Sequence, residues 1–113
     1  MRYYSTNNPN HQVGLKEAVI KGLAPDQGLY MPEHIPVMPA SFFEDLPTMT
    51  FQEMAYEVIG ALFGEDLSVL QVKALVDHTL VFDAPLVKVE EGIYSLELFH
   101  GPTLAFKDFG ARF

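Results

Sequence analysis

Lys107 is the residue in this chain whose type and surroundings point most directly to chemistry. It sits among Ala105, Phe106 and Phe109, just after the break at Gly101-Pro102, where a new helix is expected to begin. Apolar packing disfavours the charged ammonium, and the partial positive charge of a helix N-terminus pushes the same way. The amine then becomes a better nucleophile, as Schiff-base formation with a carbonyl requires. Spacing alone is equally compatible with an ordinary helix-start lysine whose stem packs on Phe106.

The other reactive side chains carry less. His11 and His34 lie in polar, turn-like surroundings and are expected to face solvent. His78 falls near a helix end, where the dipole stabilises a cationic imidazole, so a structural role suffices. His100 lies three residues before Thr103 and close to Lys107, which suits either a pocket-lining residue or a hydrogen-bonded turn histidine. Glu97, His100 and Asp108 make no credible metal set, because a strand and the turn after it do not fix three ligands by spacing. No nucleophilic triad is apparent.

Composition narrows the function classes. The 113 residues suit one domain on a prior of ~100 to 200 residues per domain. The net charge of -8 and the lack of a basic cluster argue against nucleic-acid binding, which needs concentrated Lys and Arg. With no cysteine there is neither a disulfide framework nor a thiolate metal site. Met1 to Ser5 leads into a polar Asn-Pro-Asn run without an apolar signal core, and no later run approaches a spanning length. The expectation is a cytoplasmic protein with no membrane and no nucleic-acid partner.

Several elements must deliver Lys107. Arg2 to Thr6 reads as a short strand ending at the turn cluster Asn7-Asn8-Pro9-Asn10. Leu15, Ala18 and Val19 recur at helical spacing up to Lys21, with Gly22 as the stop. Ala24-Pro25-Asp26-Gln27-Gly28 is a turn, and Pro32, Pro36 and Pro39 argue against regular structure from Met31 to Ala40. Ser41-x-x-Glu44 and Thr50-x-x-Glu53 both have the form of a capping box. The second opens a helix that runs to Gly64, and a third helix follows from Val69 towards His78. These helices are expected to pack as a small bundle. Leu86 to Glu90 and Ile93 to Leu98 read as an antiparallel hairpin around Glu90-Glu91-Gly92, with Val87 and Val89 on one face and Lys88 and Glu90 on the other.

Two strings carry a resemblance to a known family. Glu97-Leu-Phe-His-Gly-Pro-Thr-Leu-Ala-Phe-Lys-Asp-Phe-Gly110 resembles the lysine motif of threonine synthase, a pyridoxal-phosphate enzyme of fold type II. Tyr3-Tyr-Ser-Thr6, Lys16-Glu-Ala-Val19 and Gly22-Leu-Ala-Pro-Asp-Gln-Gly-Leu-Tyr-Met-Pro32 look like its amino-terminal signature, so the likeness spans essentially the whole chain. It disfavours another enzyme of the same cofactor class, such as a dehydratase. In that family the loop is commonly Asp-Gly-Gly-Leu. Gln27 departs from it, which weakens the case for a left-handed backbone or close ligand approach there.

The resemblance implies that Lys107 forms the Schiff base with pyridoxal 5'-phosphate and then acts as general acid and base. Phe106 would flank the cofactor, Asp108 would help fix the first helical turn, and both join Lys107 as cofactor-binding residues. The implied reaction converts O-phospho-L-homoserine and water to L-threonine and phosphate. The implied fold class is α+β: a small amino-terminal domain over residues 1–84, then the start of the pyridoxal-phosphate domain over residues 85–113. The chain stops about one turn into a helix and has no glycine-rich phosphate loop. It therefore reads as a fragment, inactive alone, whose terminal apolar segment is disordered or packs on another copy. The competing reading is an independent interaction module that keeps the fold without catalysis.

Overall fold

Arg2–Ser5 forms strand β1 at the centre of a three-stranded antiparallel sheet in the computed structural model, which describes all 113 residues. Its neighbours are β2 (Gln12–Gly14) and β3 (Tyr30–Pro32), giving the order β2-β1-β3. The expected irregular run from Met31 onward is thus corrected at its start, since Met31 pairs with Tyr4 and Pro32 with Tyr3. Proline is tolerated because it closes a strand on the sheet's edge. His11 also departs from expectation. It is half-buried, and its Nε2 lies 3.2 Å from the Tyr30 hydroxyl.

Helix α1 (Leu15–Lys21) follows β2 directly and packs Ala18 against Tyr3 and Val13, the first of two small cores. It ends as expected at Gly22, whose φ of 68° suits a residue without Cβ. A three-residue loop, Pro25-Asp26-Gln27, then joins Ala24 to Gly28, just inside the bridged pair Leu23 and Leu29. Gln27 N–H donates to the Ala24 carbonyl and Ala24 N–H to the Gly28 carbonyl, at 2.8 and 2.9 Å. Such loops place a left-handed residue third, and Gln27 takes that place with φ 66°.

Gln27 is left-handed although it is not glycine, which corrects the expectation that the departure from glycine weakens the case for that conformation. The conformation is enforced by its surroundings: the Asp26 carboxylate accepts from Ser5 Oγ at 2.7 Å and from Gly28 N–H at 3.0 Å. A non-glycine residue held left-handed costs ~1–2 kcal/mol, partly offset by the ~0.5–1 kcal/mol entropic cost of glycine. Gln27→Gly is expected to stabilise the fold by up to ~1 kcal/mol, read as a higher midpoint in thermal unfolding.

Short helix α2 (Ala40–Asp45) buries no residue. Its predicted Ser41 box is absent, because Pro39, with extended backbone, takes the N-cap position and puts Ser41 inside the first turn. The Thr50 box is present in full. Thr50 Oγ1 accepts from Glu53 N–H, and Glu53 Oε2 accepts from Thr50 N–H at 2.7 Å, opening α3 (Phe51–Phe63). An unforeseen second box, Ser68 with Gln71, opens α4 (Val69–Thr79). The expected bundle is a pair: Ile59 of α3 meets Val72, Val76 and the following Leu80 in the second core. Each such buried side chain contributes ~1.5–3 kcal/mol. No helix is long and apolar enough to cross a membrane.

Strands β4 (Leu86–Glu90) and β5 (Ile93–Leu96) form the expected antiparallel hairpin, with Gly92 at φ 75° in the turn. β5 ends two residues early. Glu97 N–H still donates to the Pro85 carbonyl at 2.9 Å, but Pro85 has no N–H with which to continue the ladder. The Val87 and Val89 face covers no core, and a register irregularity between Lys88 and Glu90 interrupts the alternation. The last element is α5 (Lys107–Arg112). The architecture is α+β, with short antiparallel strands and five α-helices.

Candidate active site

Lys107 is the first residue of α5, and its neighbours hold that helix in place. Phe109 packs against Phe82, with ring centroids 4.8 Å apart, and meets Phe51 edge-on. Phe113 stacks on Phe63 at 5.7 Å. The Arg112 guanidinium donates to the carbonyls of Thr79 at 3.2 Å and His78 at 3.3 Å, satisfying groups at the C-terminal end of α4. The apolar edge of the last helix thus finds its partners within the chain. The expectation of a disordered segment is corrected: residues 107–112 are helical, helical spacing puts Phe109 and Phe113 on one face, and Phe51 and Phe63 of α3 with Phe82 supply the aromatic surface for it.

The approach to Lys107 is equally fixed. Asp108 is only 5% exposed, and its two carboxylate oxygens are both engaged by Thr103, through N–H at 2.8 Å and Oγ1 at 2.7 Å. The Thr103 hydroxyl, with its amide, holds the Asp108 carboxyl below the usual carboxylate range. Gly101 packs directly on Asp108, with no space for a side chain between them. Leu104 N–H donates to the Gly101 carbonyl at 3.0 Å, and Leu104 is left-handed at φ 57°. That conformation is rare for leucine, so nothing in the sequence pattern announces it.

Against this anchored frame Lys107 is exposed, and Phe106 beside it is 66% exposed. Consecutive helical residues diverge by ~100°, so Asp108 can face inward while Lys107 faces out. The apolar enclosure expected around the ammonium is not built by these 113 residues. Phe106 and Lys107 form an open apolar-and-amine surface where the loop enters α5. His100 takes the second of its two expected roles: its Nε2 lies 2.8 Å from Glu97 Oε2, and its ring stacks on Phe99.

The depressed carboxyls predict an acid-side loss of stability. Asp108 and Asp26 fall below their ordinary value of 3.8, held by Thr103 and Ser5 respectively, and Glu53 falls below 4.5 through the Thr50 amide. A folded-state value lower than the unfolded one gives stability that is complete above the unfolded value and lost as pH falls through the folded one. The thermal midpoint is therefore expected to be flat from pH 7 to 5 and to drop below pH 4.5, as checked by melting curves across that range.

Comparison with known proteins agrees with this architecture. The family described as "Threonine synthase N terminus" matches residues 2–80. The chain belongs to that family. Threonine synthase of Haemophilus influenzae is 46% identical over 113 residues, covering 100% of this chain and 26% of the relative. That of Escherichia coli is 35% identical over the same span and share. The crystal structure of the Escherichia coli threonine synthase superposes with a TM-score of 0.90 at 34% identity, over 97% of this chain and 26% of the other. PLP-bound threonine synthase from Brucella melitensis gives 0.84 at 34% identity, over 96% and 24%. The chain thus spans about a quarter of the length of these threonine synthases. Lys107 lies beyond the 2–80 match but inside the span shared with the Haemophilus influenzae relative.

Proposed function

We propose that this chain is the amino-terminal part of a threonine synthase that converts O-phospho-L-homoserine and water to L-threonine and phosphate, with pyridoxal phosphate held by Lys107. One observation carries the reading: in a chain of this family, a single lysine is displayed at the start of α5 on a turn locked from both sides. When bound, the cofactor supplies a conjugated ring that takes up electrons released at the substrate α-carbon. The Lys107 amine would hold the cofactor through its aldehyde carbon, with the aldehyde oxygen leaving as water. When free, it moves protons to and from the substrate carbons, general acid and base work of a kind that contributes ~10²–10⁴-fold.

Phe106 joins Lys107 at the cofactor, and Asp108 supports them by fixing the first helical turn. Phe106 would flank the cofactor and exclude water, while Asp108 holds the loop that presents the lysine. Residues 1–84 act as the amino-terminal domain, and residues 85–113 open the cofactor domain. The β4–β5 hairpin supports that division, since Leu86, Val89, Ile93, Tyr94 and Leu96 are each more than half exposed, as suits strands meant to join a larger sheet. The reaction is placed in the cytoplasm.

Trapping tests the reading. The natural full-length protein is incubated with pyridoxal phosphate, reduced with borohydride and mapped by peptide mass. The label is expected on Lys107; a label confined to Lys16, Lys21, Lys73 or Lys88 would overturn the assignment. The 113-residue chain alone, with Lys107 uncovered, is expected to release no phosphate from phosphohomoserine.

A further inference from the structure

The geometry points to Asp108 as a positioning residue: its carboxylate closes a clasp over Thr103 that sets the direction of Lys107 without itself touching the cofactor. The inference rests on the proposed role of Lys107 and deepens it. An acidic residue directly after a cofactor lysine invites a direct electrostatic role, and the observations oppose one. The carboxylate is buried, and each oxygen already accepts a hydrogen bond from Thr103, five residues back. Charge-assisted bonds of this kind are roughly twice as strong as neutral ones, so the pair is a firm closure.

The closure has three further parts. Gly101 leaves no gap above the Asp108 side chain, so the loop cannot slide over it. Leu104 is held left-handed between the two ends, a strained state that persists only where its surroundings over-determine it. Asp108 N–H donates to the Ala105 carbonyl at 3.0 Å, so the residue that closes the clasp also begins the helix carrying Lys107. Release of the carboxylate would free Leu104 to return to an ordinary conformation and let the Lys107 backbone turn with it. Every contact of the clasp comes from this chain's own residues, so the fold itself sets the direction of the lysine, a means of preorganisation.

The inference separates two substitutions that a charge-based role would not. In Asp108→Asn the amide oxygen still accepts from Thr103 N–H and the amide N–H₂ can donate to Thr103 Oγ1, so the clasp is retained without charge. In Asp108→Ala both bonds are lost. Thr103→Val removes only the hydroxyl bond and guards against a variant that fails to fold.

The test uses the natural full-length protein and two measurements. Hydrogen exchange of the Thr103 amide, without cofactor, reads the clasp itself. The rate of borohydride-trapped labelling of Lys107 by pyridoxal phosphate reads the aim of the lysine. Asp108→Ala is expected to speed amide exchange and slow Lys107 labelling by at least ~10-fold each, Thr103→Val to do so by a few-fold, and Asp108→Asn to stay within ~3-fold of the parent on both.

Two results would overturn the inference. One is Asp108→Asn labelling as slowly as Asp108→Ala while Thr103 exchange stays protected, which would show that the charge acts on the cofactor. The other is Asp108→Ala or Thr103→Val opening the clasp with Lys107 labelling unchanged. Failure of the parent to label at Lys107 strikes instead at the proposed function, and the exchange arm reports on the clasp in either case.

Discussion

Lys107→Ala in the natural full-length protein is expected to abolish the visible absorbance of attached pyridoxal phosphate and to lower threonine formation by at least ~10³-fold, since both covalent attachment and proton transfer are removed. The fold should survive. Lys107 is exposed and makes no ion pair, and the contacts that dock α5 come from Asp108, Phe109, Arg112 and Phe113. Absorbance spectra and steady-state kinetics, with a melting curve as control, measure the outcome. A retained cofactor band in a folded Lys107→Ala protein would mean that another amine holds the cofactor.

Gly101→Ala is expected to be the most damaging small substitution in the lysine loop. An added Cβ would lie 2.5 Å from Asp108 Cβ and 2.8 Å from its Cγ, closer than carbon atoms approach. No rotamer relieves a clash with a Cβ, so either the loop or the helix start must move. Overpacking of this kind costs ~1–3 kcal/mol, and displacing Asp108 would lose its bonds to Thr103 as well. The variant should therefore melt lower by ~3 kcal/mol in stability and label Lys107 more slowly. Gly110→Ala is the matched control. It lies on α5, with open space around its Cβ position, and it should gain up to ~1 kcal/mol from helix propensity. Equal melting temperatures for the two variants would show that the Gly101 contact bears no strain.

The two glycines look alike in the sequence because the difference between them is tertiary. Gly101-Pro102 was readable as a break before a helix, and the break is there. The reason for glycine at position 101 is the Asp108 side chain above it, seven residues on, and no local pattern encodes that proximity. The same holds for Leu104 and Gln27. Propensity gives each an ordinary backbone, and each is left-handed because hydrogen bonds around it leave no alternative. Ser41 shows the converse: a correct-looking capping pattern lost to Pro39, which takes the N-cap position and starts the helix two residues sooner.

Local sequence pattern by itself determined the helices over Leu15–Lys21, Phe51–Phe63 and Val69–Thr79, the Thr50 cap and the β4–β5 hairpin, because each depends on contacts within a few residues or on one face of one element. The ordered strings around Tyr3 and Lys107 likewise pointed to the family. Only the tertiary structure decided that β3 pairs with β1, that Phe109 and Phe113 dock on the chain's own aromatic residues, and that Asp108 faces inward while Lys107 faces out. Those outcomes join residues far apart in sequence or choose between neighbours of equal propensity. The free energy that decides them arises when surfaces meet, and it is absent from any local stretch of the chain.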